Sequence, residues 1–164
     1  MKRKFARTTL VIISVVTLGM GLATAAYAEV DGGCSTAKAA GKWGLTLTGV
    51  LILPTGPVPA AAVGRFSIDA DGNTSGTEAR NVGGGFANET LTGAVTVNSD
   101  CTATVTANIY ESGVLVRTVV LAAVFVDDSN KVRMVQESLT LPDGKTVPVV
   151  VTVEGIRLFR EGGD

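Results

Sequence analysis

From Trp43 onward, small or apolar residues alternate with polar ones along the chain. The stretch 102–110 ("TATVTANIY") is typical, and nowhere does a helical period persist for a useful length. The pattern predicts eight strands, at about 42–53, 60–68, 74–82, 89–97, 102–110, 114–126, 132–141 and 146–159. Short connections rich in Asp, Asn, Gly and Pro separate most of them: "DADGN" (69–73), "NSD" (98–100), "ESG" (111–113), "DDSN" (127–130) and "PDGK" (142–145). Such residues tolerate positive φ or pre-set a turn. Two connections read as longer loops, "PTGPVP" (54–59) and "GGGFAN" (83–88). None has room for a crossover helix, so neighbouring strands should be antiparallel. The expected fold is all-β, an eight-stranded antiparallel up-and-down barrel, because closure removes unpaired edges. Pro148, inside the last strand, predicts a bulge or a gap in that closure. Upstream, "STAKAAGK" (35–42) predicts one short helical turn with Ser35 as N-cap.

The first 28 residues carry a different pattern. Lys2, Arg3, Lys4 and Arg7 precede an apolar run from Leu10 to Leu22, and Ala26-Tyr27-Ala28 forms an A-x-A cleavage site. The run is short for a membrane span. A secretory signal peptide over 1–28 is expected, then an N-terminal segment (29–41), the barrel (42–160) and a flexible tail (161–164). The mature chain would have about 136 residues, one domain's worth. It would be secreted, periplasmic or at the cell surface, with no membrane span of its own. Cleavage takes four of the fourteen basic side chains and none of the fifteen acidic ones, leaving a net charge of about −5. No basic patch remains to attract nucleic acid.

An oxidising destination bears on Cys34 and Cys101, the two cysteines of the chain. A disulfide is the expected state. Strand parity supports it. In an up-and-down barrel the chain start and the 98–100 turn fall at the same end, so Cys34 and Cys101 meet. The opposite end then holds the Pro- and Gly-rich connections, and a ligand mouth is expected there.

The chain has no histidine, which removes the usual base for a serine or cysteine nucleophile and the commonest transition-metal ligand. Asp69, Asp71 and Asn73 start like a calcium loop. An EF-hand needs Gly at the sixth position and Glu at the twelfth, and Thr74 and Arg80 stand there, so an Asx-capped turn is the expectation. Neither a metal nor a cofactor is expected. Gly83–Gly85 precede no helix and make no phosphate cradle. Asn73 and Asn88 begin glycosylation sequons. On the seventh strand, Arg133, Val135, Glu137 and Leu139 share one face and Met134, Gln136 and Ser138 the other. The preferred orientation turns Met134 and Gln136 into the lumen as ligand contacts. Glu137 and Gln136 are the candidates if the barrel is an enzyme, since a carboxylate in an apolar lumen gains a raised pKa.

Gly41-Lys42-Trp43 on the first strand, with Arg157 near the end of the last, resembles the calycin pattern of lipocalins and avidin-like proteins. The resemblance implies that Trp43 packs under Arg157 at a closed barrel end. With one tryptophan in the chain it implies the barrel and not a biotin site. "AAVGRFSIDADGNTSG" (61–76) and "ETLTGAVTVNSDCTATVT" (89–106) look like a group of small secreted bacterial proteins without known function, similar in layout to the allene-oxide-cyclase-like barrel. The expected function is binding of a small apolar ligand. A cyclase or isomerase, and a filled structural or adhesion module, are the alternatives. Aromatic content of 5% argues against a membrane barrel.

Overall fold

The computed structural model describes residues 33–159. The predicted signal peptide and the 161–164 tail lie outside the described residues, as does residue 160. The chain forms a short helix, α1 (Thr36–Ala39), then eight strands: β1 (Gly41–Leu53), β2 (Gly56–Ile68), β3 (Asn73–Val82), β4 (Gly85–Val97), β5 (Thr102–Glu111), β6 (Val114–Val126), β7 (Lys131–Thr140) and β8 (Val149–Phe159). Each pairs antiparallel with the next, and β8 closes onto β1, giving one eight-stranded barrel. Among the described residues, no helix is long and apolar enough to cross a membrane.

The period of two holds along the strands. Ala103, Ala107 and Ile109 of β5 are buried while Thr102, Thr104 and Thr106 are exposed. Two expected loops are shorter than predicted. β2 begins at Gly56 and β4 at Gly85, so the connections shrink to residues 54–55 and 83–84. Pro57 and Pro59 are tolerated because β3 pairs with β2 only from Ala60, leaving the prolines beside an edge where a missing N–H costs no ladder bond.

The last strand is also trimmed. β8 starts at Val149, with Pro148 just ahead of it, its carbonyl accepting from the Ile52 amide at 2.8 Å. The β7–β8 seam has a matching short ladder, Lys131–Val135 against Thr152–Ile156. Beyond it, residues 139–147 fold back on themselves, Val147 donating to the Leu139 carbonyl at 2.9 Å. A bulge also interrupts the β6–β7 register. Val120 faces Ser138 and Leu121 faces Gln136, so Glu137 is the extra residue. The strict alternation expected for this strand therefore breaks: Leu139 is buried beside Val119 instead of sharing the outer face of Glu137.

One end of the barrel is sealed. Trp43 is completely buried, stacked 6.3 Å from Phe66 and edge-on to Phe125 at 5.5 Å. Its indole N–H donates to the Ala39 carbonyl at 3.0 Å, which ties β1 to α1. The Arg157 guanidinium lies 4.7 Å over the indole. It donates to the carbonyls of Ser129, Ala40 and Lys38, binding β8, the β6–β7 turn and α1 into one cap. Ser35 caps α1 as predicted, accepting from the Lys38 amide at 3.2 Å. Gly155 lies beneath this cap, where an added Cβ would come within 2.6 Å of Val132. Asp69 caps its turn, accepting from the amides of Asp71 and Asn73.

Cys34 and Cys101 are bonded to each other at this same end, with Cα atoms 4.8 Å apart and a sequence separation of 67. The staple fixes the segment before β1 to the β4–β5 turn. Replacing both cysteines by serine is expected to lower stability by about 4 kcal/mol, measured by urea unfolding of the otherwise unchanged chain. A loss below about 1 kcal/mol would show that the closed end holds itself together without the bond.

Candidate functional site

The open end leads into the lumen. Two chambers lie along it. The inner one, of about 90 Å³, is lined by apolar side chains that include Leu45, Phe66, Leu91, Leu121, Met134 and Val153. The outer one, of about 350 Å³, is lined by Leu51, Ala60, Ala62, Val82, Leu139 and Val151, among others. Leu47, Glu78, Arg117 and Gln136 line both, so a polar layer separates the chambers.

That layer is built from strand parity. Glu78 of β3 and Glu89 of β4 are direct cross-strand partners, and both point inward. Glu89 is in phase with the buried Ala87, Leu91 and Val95 of its strand. Their side chains are almost sealed from solvent, with residue exposures of 8% and 2%. Two facing carboxylates repel and are costly to desolvate. Two arginines answer them. Arg117 of β6 makes a two-pronged contact with Glu89, at 2.8 and 2.7 Å, and reaches one oxygen of Glu78 at 2.9 Å. Arg80 of β3 donates to Glu89 at 2.7 Å and to Glu111, on the half-exposed rim, at 3.4 Å.

The two carboxyls are driven apart. Burial pushes Glu78 up from its ordinary 4.5 to about 7; the Arg117 charge opposes this, and the hydrogen bond and charge of Glu89 add to it. Burial pushes Glu89 up as well, but the hydrogen bonds and charges of Arg117 and Arg80 outweigh it and hold the carboxyl below the usual range. Near neutral pH the layer therefore contains one firmly ionised carboxylate and one that shares its time with a proton.

Gln136 and Met134 point into the lumen, and the Gln136 amide donates to the Ser138 carbonyl at 3.0 Å. Glu137 does not join them: at the bulge it faces outward and is exposed. Trp43 and Arg157 belong to the sealed end. Thr74 lines the inner chamber at 6% exposure, and its hydroxyl has no hydrogen-bond partner. Among the described residues, no group of three or more His, Cys, Asp or Glu side chains is placed to hold a metal.

No family model matches the chain, and no curated protein matches it. Among the solved structures similar to it are two bound to DFHBI. One is EF1p2_mFAP2b bound to DFHBI, 12% identical, covering 74% of this chain and 98% of that one with a TM-score of 0.52. The other is a redesigned β-barrel, mFAP1, bound to DFHBI, 16% identical, covering 74% and 97%, with a TM-score of 0.46. At such identities the first likeness speaks for the fold alone.

Two outcomes are expected. Between its unfolded value of 4.5 and its folded value of about 7, Glu78 binds more protons folded than unfolded. Stability from this group is therefore full below 4.5 and falls as pH rises to about 7. Chemical denaturation of Glu78→Gln against the parent across that range should show the parent losing on the order of 3 kcal/mol relative to the variant. A constant difference would refute the raised Glu78 value. Separately, Thr74→Val should leave the ligand-free barrel as stable or raise it by about 1 kcal/mol, because an unpartnered buried hydroxyl is removed. A loss above about 1 kcal/mol in thermal unfolding would mean that the hydroxyl is satisfied in solution.

Proposed function

We propose that this protein is a secreted barrel that binds one small, largely apolar molecule in its lumen. The observation that carries the reading is the pair of chambers, walled by apolar side chains and joined at a compact layer of polar groups. Binding sites commonly have this composition, apolar walls with a few placed polar groups that fix orientation. One end is capped by Trp43 and Arg157, so a ligand enters between the connections at 54–55, 83–84, 112–113 and 141–148. The unpartnered Thr74 hydroxyl offers a hydrogen bond deep in the inner chamber. Gln136 and Met134 are the contacts from β7. The fold neighbour EF1p2_mFAP2b is bound to DFHBI, a use of this fold in keeping with the reading.

Secretion rests on the sequence of residues 1–28 and agrees with a disulfide, which persists in oxidising compartments. Kinship with the calycin or allene-oxide-cyclase-like barrels rests on Trp43, Arg157 and the 61–76 and 89–106 stretches.

The test is uptake of Nile red, an uncharged dye that brightens in apolar surroundings. The native protein should bind it with one-to-one stoichiometry. Ala62→Phe, which places a ring in the outer chamber, should weaken binding at least about tenfold while circular dichroism keeps its β signature. No uptake by the parent, or equal uptake by the variant, would contradict a lumen site.

A further inference from the structure

The chemistry of the polar layer specifies the ligand further, on the premise that the lumen is the binding site. Glu89 and Glu78 are held differently. Glu89 accepts three hydrogen bonds from two guanidiniums and lines neither chamber. Glu78 meets Arg117 through a single oxygen and lines both. Glu89 is thus the fixed counter-ion behind the wall, and Glu78 is the exchangeable one in front of it. Arg80 lines the outer chamber too but is engaged by Glu89 and Glu111; Arg117, facing both chambers, is the cation that Glu78 would release to a ligand.

We propose that the natural ligand is a monoanionic amphiphile whose oxyanion head replaces Glu78 on Arg117, and that Glu78 takes up one proton from water as it is replaced. The balance is simple. Ligand anion, Glu78 carboxylate and one proton become a ligand anion paired with Arg117 and a neutral Glu78 carboxylic acid. No other bond is made or broken.

The proton is required by the setting. A ligand anion beside ionised Glu78 and Glu89 would set three negative charges against the guanidiniums of Arg80 and Arg117 in a nearly dry layer. Among the described residues, the charges that act on Glu78 come from Arg117, Glu89 and Arg80. Arg117 approaches from β6, Glu89 from β4 and Arg80 from its own strand, with Glu111 of β5 reaching Arg80 from the rim. Its partner on β2 is Gly64, and Gln136 of β7 carries no charge. Since burial already brings Glu78 to about 7, protonating it near neutrality costs little. The apolar body lies in the outer chamber, the larger of the two, whose wall includes Leu51, Leu53, Leu139 and Val147.

The test is isothermal titration calorimetry of the full-length mature protein with decanesulfonate, in buffers of different ionisation heat. Decanol serves as the uncharged match. A sulfonate stays ionised throughout, so any proton taken up belongs to the protein. We expect about one proton per sulfonate bound near pH 8, little uptake near pH 5.5, and an affinity that falls by up to about tenfold per pH unit above neutrality. Glu78→Gln should bind the sulfonate with no uptake and no pH slope. Sulfonate binding without proton uptake, decanol binding as tightly, or uptake that persists in Glu78→Gln would each overturn the proposal. If Glu78→Gln does not fold, uptake and slope in the parent still decide. If Nile red enters and decanesulfonate does not, this inference falls and the lumen site stands; if neither enters, both fall.

Discussion

Glu78 and Glu89 stand opposite each other across the β3–β4 ladder and point into a closed barrel. A register slip that separated them would turn the buried Ala87, Leu91 and Val95 of β4 to the outside. The rest of the lumen is organised by how that conflict is resolved. Arg117 crosses from β6 and Arg80 rises along β3 to neutralise the pair, which places four charged side chains in one layer. Such a layer is a poor source of stability, since desolvation offsets most of its attraction. It persists as the feature that divides the lumen and gives an otherwise apolar tube one polar, proton-responsive level.

The two ends differ for related reasons. The sealed end gathers the bulky rings, Trp43, Phe66 and Phe125, with the Arg157 cap and the disulfide. The open end gathers small and branched residues, among them Ala60, Ala62, Val82 and Val151, which leave volume unfilled. In-strand glycines let the barrel coil tightly: a Cβ at Gly93 would sit 2.0 Å from the Thr106 carbonyl oxygen of the neighbouring strand. The barrel is closed at one end and carries its buried polar layer between the two chambers.

Strand number, antiparallel order and the joining of Cys34 to Cys101 were legible because they depend on period and parity, which are local properties of the sequence. The misreadings have local causes too. Pro57, Pro59 and Gly85 look like turn residues, and it takes the position of the neighbouring strand to show that they sit where the ladder tolerates them. The bulge at Glu137 inverts the phase of β7 past Gln136, and nothing in "RMVQESLT" announces it. The charged layer does leave a trace in the sequence. Glu89 falls in phase with Ala87, Leu91 and Val95, and Arg117 in phase with Val119 and Leu121, so each is a charge on a buried face. That they meet each other follows only from closure and register.

The central claim is that one lumen carboxyl is kept half-protonated at neutrality while its cross-strand partner is locked ionised. The most direct measurement is an NMR titration of the protein labelled at its glutamate side-chain carboxyls. The account predicts one resonance titrating near 7, absent from the Glu78→Gln spectrum, and a second that stays ionised below the ordinary glutamate range. Glutamates that all titrate together near 4.5 would contradict it.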